Sequence, residues 1–533
     1  MTNFLKKIQN LKNKIFLSAA EKKYIEFNKK IFKIYKKNNE SNDQILVELF
    51  DYPTLIYFWS IIVNYISVRN NLKIKYYYFK TYDSLISLFK LFIKNLSIIY
   101  NSFNVEEGLN YYKFKEFKKK NFCKELFRKI KTKKKLENFK YCGIKIGDLI
   151  YDTYLRSTLK PTVNLEDPKL LEIFITAVEI FDNAKNYFNN NNVKLLITSH
   201  SYYIQHGIIL RIALKKSIPS ILVHNKAKAN ADFRLNIIDK KYPFEHNWGY
   251  TNYHKNFLKL KNKKKLLKIG RKLIVNRISG YKKLSYLKIS PYKRCKFKKN
   301  NLLKNLNKKN IVIFAHCFFD AVHRFRYSIF TDYYEQINYF INLSEKYKSF
   351  NWFIKLHPND LPYNDIIYKN FLKNKKNITI IEKNTPNSFI IDMKPILAIT
   401  NNGSIAHEFA YLNIPVINTG DNVHINYNFC LHPKNKTQLL DMIININKYK
   451  NKLNMNKIYL YEFMYMHYEY PLLKNDEKKF LKDKFFATKN FNYNSTDKIY
   501  KYYIKHHSKN ICYIEKYLSK FIINNRKNLK LNN

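Results

Sequence analysis

The chain has 533 residues, with 97 Lys and Arg against 40 Asp and Glu, a formal charge of +57. Hydrophobic residues are 46% and aromatics 17%, ample for sizeable cores, which excludes a disordered chain; 9 glycines exclude a collagen-like or Gly-rich linker sequence. The basic excess is nearly all lysine, amid abundant Asn, Ile, Tyr and Phe, as an AT-rich coding bias produces. Readers of nucleic acid lean on arginine, and no zinc-finger or RNP-like spacing appears, so no nucleic-acid partner is expected.

In chain order, residues 1–43 read as a basic helical lead-in, charged within a few residues and lacking the apolar core of a secretory signal. "ILVELF" (45–50) is a strand and Pro53 opens a turn. Residues 54–67 form an apolar helix, and "LKIKYYYF" (72–79) is a second strand. The stretch 54–68 is too short for a membrane span and carries Asn64 and two tyrosines, so it reads as a buried helix. Residues 82–138 read as helical and basic, and 141–159 as a compact turn leading into a helix. A helix at 168–189, a strand at 193–199, a helix at 203–215 and a strand at 217–224 follow.

Residues 255–310 are Lys-rich and the least ordered part of the middle, with a boundary near 295–309. The second half restarts with strands at 310–316, 350–358, 377–382, 396–400 and 414–418, separated by helices and closed by one at 437–448. Strands alternating with helices twice over predict an α/β protein of two Rossmann-like domains facing a cleft. The expected division is a lead-in (1–43), a first domain (44–300), a second domain (301–449) and a helical region with a basic tail (450–533). The six cysteines form no CxxC pair, which suits free thiols in a reducing cytoplasm.

In open α/β sheets, ligands bind at the carboxyl ends of strands. After the strand at 396–400 comes "NNGS", then a helix. Gly403 lets backbone approach a ligand, and Ser404 stands at the helix start, where free N–H groups favour a phosphate. Ser404, His407 and Glu408 share a helix face, with Glu408 able to accept from sugar hydroxyls. A plain Asn-Gly turn with a Ser N-cap fits the same residues. In "KLHP", His357 leaves a buried strand, Pro358 follows it, and Lys355 faces the same side. His316, Asp320 and His323 have metal-ligand spacing only on a helix, and their segment reads as a loop. In the first half, Asp148, Asp152 and Arg156 share a helical face; Asp152–Arg156 is equally a salt bridge. His200 and Ser201 end a strand, and Arg211 follows as a phosphate contact or a solvated charge. His200 or Asp148 could deprotonate a hydroxyl.

"KLHP" followed by "NNGSIAHEFAYLNIPVINTG" resembles the donor half of GT-B glycosyltransferases, most of all bacterial capsule and surface-polysaccharide biosynthesis proteins. "FAHCFFDAVHRFRYSIFTDYYE", "GDNVHINYNF", "IGDLIYDTYLR" and "TSHSYYIQHGIILRIA" resemble the same group, over roughly 140–470; Val423 stands where proline is expected. The resemblance implies a nucleotide-sugar donor held by His357, Gly403, Ser404 and Glu408; Lys355 and His407, on the same faces, are expected donor contacts beside them. It implies a base in the first domain and a glycan or glycolipid acceptor. Asp152, Arg156, Ser201, Arg211, Asp320 and His323 are further contacts to acceptor or phosphate. Such enzymes usually need no bound metal, and no other cofactor is expected. The expected location is the cytoplasm, compatible with contact at the anionic inner face of its membrane. A polyol-phosphate (CDP-glycerol-type) transferase and a nucleotide-sugar epimerase share the fold. A non-catalytic basic protein binding glycan or nucleic acid is the alternative from another class.

Overall fold

Unbroken apolar runs, not alternating ones, mark central strands covered on both faces. "ILV" (45–47) is such a run and is buried throughout. The computed structural model describes residues 16–35, 41–79, 90–227, 230–238, 250–281, 290–292, 308–358, 363–451, 453, 457–470 and 493–529. Two units emerge: Met1–Thr153 with Glu166–Pro243 and Leu473–Asn533, and Tyr154–Leu165 with Phe244–Leu472.

The first unit holds β1 (Asp43–Glu48), β2 (Lys73–Tyr78), β3 (Glu106–Asn110), a short hairpin of β4 (Lys140–Tyr141) and β5 (Ile144–Lys145), then β6 (Asn192–Thr198), β7 (Ser220–Ala227) and β8 (Asn230–Ile237). The main sheet runs β3-β2-β1-β6-β7-β8, parallel except for the β7–β8 pair. Residues 106–110, expected within a helical stretch, form edge strand β3. Only one of its five residues is buried, so no apolar run announces it.

Helix α1 spans Ala19–Phe32 and begins with a capping box, the Ser18 hydroxyl accepting from the Glu21 N–H and the Glu21 carboxylate from the Ser18 N–H. Helix α2, Pro53–Asn70, starts at a proline and ends where left-handed Asn71 donates to the Ser67 carbonyl. Every residue from Thr54 to Ser67 is buried. This is the buried helix expected from sequence. Among the described residues, no helix is long and apolar enough to cross a membrane. Helices α3 (Gly147–Thr158) and α4 (Ile204–Lys215) follow.

The second unit holds β9 (Lys309–Phe314), β10 (Phe350–Lys355), β11 (Ile378–Ile381), β12 (Leu397–Thr400) and β13 (Val416–Asn418). They form a parallel sheet, β11-β10-β9-β12-β13. The Lys-rich stretch after 255 is more regular than its composition suggests. Its helix α5 (Lys263–Ile278) turns Gly270, Ile274 and Arg277 inward. A Cβ on Gly270 would lie 1.9 Å from the Tyr461 carbonyl oxygen, so only glycine permits this approach. Helix α6 is Ile405–Tyr411, and α7, Lys457–Tyr468, carries Tyr461. The boundary expected near 295–309 lies almost wholly outside the described residues; the units part at Pro243 and Phe244.

The 37-residue helix α8, Tyr493–Leu529, belongs to the first unit. Tyr503 stacks on Tyr57 of α2 at 3.9 Å, and Tyr500 on Tyr24 of α1 at 4.4 Å. The expected lead-in and C-terminal region therefore both supply core. They cover the apolar face that α2 could not leave in water. Tyr503→Ala should cost about 3–5 kcal/mol, the usual range for deleting a buried aromatic. Urea unfolding checks this; an unchanged midpoint would make α8 a loose appendage.

Candidate functional site

Each sheet reverses its strand order once, between β1 and β6 in the first unit and between β9 and β12 in the second. Such switch points open a crevice beyond the carboxyl ends of the two strands. Glu48 ends β1, and Ser199 and His200 follow β6. His316 comes two residues after β9, and Asn401, Asn402 and Gly403 follow β12.

In the second unit the loop after β12 folds onto His316. The Thr400 hydroxyl lies 3.0 Å from His316 Nε2, and the N–H groups of Asn401 and Asn402 point at the same nitrogen from 3.3 and 3.4 Å. A nitrogen facing two N–H donors must accept, so His316 is neutral with its proton on Nδ1. Loss of solvation, then the nearby His357 and Arg324, push its pKa down to about 3. The ring stacks on Tyr333 at 4.9 Å. Gly403 closes the turn by donating to the Thr400 hydroxyl at 3.2 Å. A Cβ there would stand 2.7 Å from that oxygen.

The face carrying Glu408 is a buried network. Its carboxylate accepts from Arg277 Nε (2.8 Å), the Tyr292 hydroxyl (2.7 Å) and Ser404 Oγ (3.1 Å). The Ser404 hydroxyl therefore serves Glu408 and caps no helix N–H. His407 is buried, with Nε2 at 3.2 Å from the Tyr468 hydroxyl, and burial pushes it down to about 4. Lys355 is also buried. Its ammonium donates to the carbonyls of Leu356 and Lys383, each at 2.9 Å, and burial pulls it to about 7. Glu408, Ser404 and Lys355 spend their polar atoms on the protein, while His407 Nδ1 is buried with no hydrogen-bond partner within the described residues. His357 is half-buried after β10. Asp320 pairs with Arg324 at 3.0 Å, and the same guanidinium reaches Asn402 Oδ1 at 3.3 Å, joining two loops. His323 lies in the short turn Val322–Arg324. Among the described residues no cluster of three His, Cys, Asp or Glu can hold a metal ion.

In the first unit Glu48 is buried and crowded with donors. The Ser199 N–H and hydroxyl both reach Oε2 at 2.7 Å, Thr198 Oγ1 at 3.0 Å, and His206 Nδ1 pairs with Oε1. Burial alone would raise this carboxyl; His206, His200 and the Ser199 N–H outweigh it and hold it at about 2. Ser199 Oγ is also 2.7 Å from His200 Nδ1. Ser201 is buried, and its hydroxyl makes no hydrogen bond within the described residues.

Asp148 sits elsewhere. Both its oxygens accept from Arg211, each at 2.6 Å, and Arg211 also donates to the Lys145 carbonyl. That bidentate buried pair ties α3 to α4. It engages the carboxylate expected as a base and the cation expected as a phosphate contact. Asp152 is buried on α3, and Arg156 is partly exposed one turn on. Sequence reasoning passed over Glu48, Ser199, His206, Arg277, Tyr292, Arg324 and Asn402. One signal was available: in a chain whose cations are nearly all lysine, Arg211, Arg277, Arg324 and Arg326 each pair with a carboxylate.

No family model and no curated protein matches the chain. Among solved structures it is similar to the Thermosulfurimonas dismutans KpsC, a beta Kdo 2,4 transferase, at 12% identity over 52% of this chain and 79% of that one, with a TM-score of 0.33. It is also similar to the UDP-GlcNAc 2-epimerases of Neisseria meningitidis and Methanocaldococcus jannaschii. Each is 12% identical over 79% of this chain and 97% of the other, with a TM-score of 0.25. At such scores the fold assignment rests on the strand orders themselves, 3-2-1-4-5-6 counted within the first main sheet and 3-2-1-4-5 within the second.

Two outcomes follow from this geometry. Asp148→Ala strands the Arg211 charge and should lower stability by about 3–5 kcal/mol in urea unfolding. Stability unchanged with activity lost would return Asp148 to the chemistry. The second concerns pH. His316, His407 and His424 all titrate below their ordinary 6.5 in the folded state, the first two at about 3 and about 4. Below 6.5 the unfolded chain binds protons that the folded unit refuses. Stability is full above 6.5 and falls toward pH 4, by about 1.4 kcal/mol per pH unit for each such histidine. Urea midpoints at pH 7 and pH 5 measure this; equal midpoints would contradict it.

Proposed function

We propose that this chain is a GT-B glycosyltransferase that moves a sugar from a nucleotide-sugar onto a growing surface glycan. The observation that carries the reading is two switch points with two different chemistries. In the second unit a neutral imidazole organises a tight main-chain loop, suited to holding a nucleotide. In the first an imidazole is backed by a carboxylate, suited to taking a proton. The motif resemblance supports the same assignment.

On this reading the donor phosphates lie against the loop 400–404. Asn402 makes the main contact. Its Oδ1 is held by Arg324, and its Nδ2 makes no hydrogen bond within the described residues, so its donors serve the ligand. Gly403 lets backbone come close, and His357 adds an imidazole beside His316. Arg324 neutralises charge on the departing phosphate. Ser404, His407, Glu408 and Lys355 hold the loop and strand ends in place. In the first unit His200 removes the proton from the acceptor hydroxyl, and the Ser201 hydroxyl contacts the acceptor. Base catalysis of this kind supplies about 10²- to 10⁴-fold in rate.

The test is mass spectrometry of products from a panel of nucleotide-sugars and CDP-glycerol with an oligosaccharide acceptor. Transfer of a sugar residue is the expected result. A free epimerised nucleotide-sugar, or transfer of a polyol phosphate, would replace the reading with another of the same fold. Gly403→Ala pushes a methyl against Thr400 and should weaken nucleotide binding at least about tenfold, roughly 1.4 kcal/mol, in isothermal titration. Unaltered affinity would remove the loop from the donor site.

A further inference from the structure

A hydroxyl has one proton, and at Ser199 its destination is determined. Ser199 Oγ lies 2.7 Å from Glu48 Oε2 and 2.7 Å from His200 Nδ1. An ionised carboxylate only accepts, so the Ser199 proton points at Glu48. Ser199 Oγ can then meet His200 Nδ1 only by accepting from it. The His200 proton is on Nδ1, and the lone pair is on Nε2.

We propose that Glu48, acting through the Ser199 hydroxyl, is the positioning residue that sets the His200 tautomer and makes Nε2 the base. The proposal rests on the glycosyltransferase reading for its acceptor, but the tautomer itself requires no substrate. Ser199 cannot relax away from the arrangement, because its N–H also binds Oε2 at 2.7 Å. The loop is held against local preference. Tyr203 has φ +62° and ψ 155°, a region that residues with a side chain rarely occupy. The Thr153 hydroxyl accepts from the Ile204 N–H at 3.0 Å and anchors the loop's exit. Backbone strain retained beside a buried polar relay is a feature of sites, not of ordinary turns.

The acceptor O–H bond breaks and its proton goes to His200 Nε2. The oxygen keeps the electron pair and forms the bond to the anomeric carbon. The bond from that carbon to the phosphate oxygen breaks, and its pair leaves with the nucleotide. Glu48 takes no proton; it stabilises the imidazolium through one intervening hydroxyl, charge opposite charge in a buried setting. Titratable groups around the relay include His206, paired with Glu48, Tyr202, and Tyr77 and Tyr100, both near enough to feel the Glu48 charge; the Tyr100 hydroxyl donates to the Phe50 carbonyl at 3.2 Å. The rings of Phe50, Tyr202 and His206 lie 5.8, 5.1 and 5.0 Å from that of His200.

The experiment is ¹⁵N NMR of the imidazole nitrogens in the full chain, with steady-state kinetics on the same variants. Wild type should show neutral His200 protonated on Nδ1. Ser199→Ala should shift it toward the Nε2-protonated form preferred by free histidine. Its kcat should fall about 10²- to 10⁴-fold with nucleotide affinity unchanged. Ser199→Thr keeps the hydroxyl and should restore both the tautomer and most of the rate. Glu48→Gln should move the acid limb of the rate profile to lower pH, since the imidazolium loses its counter-charge. Wild-type His200 protonated on Nε2, or a tautomer unmoved by Ser199→Ala in a folded protein, would overturn the relay. A correct tautomer without sugar transfer would overturn the glycosyltransferase reading and leave the relay standing.

Discussion

A buried carboxylate must have its oxygens satisfied, and four of them organise this protein. Asp148, Glu48, Glu408 and Asp421 are all essentially out of solvent. Each draws donors from segments far away in the chain. Asp421 takes Arg326 Nε at 2.6 Å and the Tyr250 hydroxyl at 2.8 Å; Glu408 takes Arg277 and Tyr292. Each cluster pins loops that would otherwise move independently at the ends of strands or helices. Removing either partner leaves the other charge or donor buried and unmatched, which costs far more than the pair contributes.

The two cations divide the work by geometry. Arginine offers a planar fork that matches a carboxylate, and the buried pairs at Asp148, Glu408 and Asp421 use it. Lysine is a strongly hydrated point charge and covers the surface. Lys355 is the informative exception. Its ammonium is buried against two main-chain carbonyls, and burial brings it to about 7. A group titrating so near neutrality changes charge with small changes of environment. It stands one strand away from the switch point occupied by His316. The +57 charge and the site electrostatics are thus separate matters. The first is a property of the solvated face, the second of a few enclosed groups.

The switch points explain why polar residues gather where they do. Strand ends in the middle of a parallel sheet are surrounded by apolar core, so any polar group placed there must be paired or serve a ligand. Around His316, pairing is done by main-chain N–H groups; around Glu48, by hydroxyls and an imidazole. The first arrangement makes a rigid neutral surface, the second a proton path. Rigid support beneath both is what lets a small loop hold a defined geometry.

Much was legible in the chain alone. The central strands of both sheets declare themselves because two-sided burial demands unbroken apolar runs; the edge strands β3 and β8 do not. The helix over 54–67 declares itself as buried because it is apolar all round. Gly403, His316 and His200 are legible as strand-end residues, since periodicity reports where an element stops. Their partners are not. Glu408 meets Arg277 and Tyr292 across 131 and 116 residues, Glu48 meets Ser199 across 151, and Tyr57 meets His507 across 450. Periodicity tells which face of an element is buried, never what lies against it. That is decided by tertiary packing. Strand order sets β6 beside β1, which is why Glu48 stands behind His200; the packing of α5 and of the turn at Tyr292 encloses Glu408, readable as a sugar contact, with an arginine and a tyrosine.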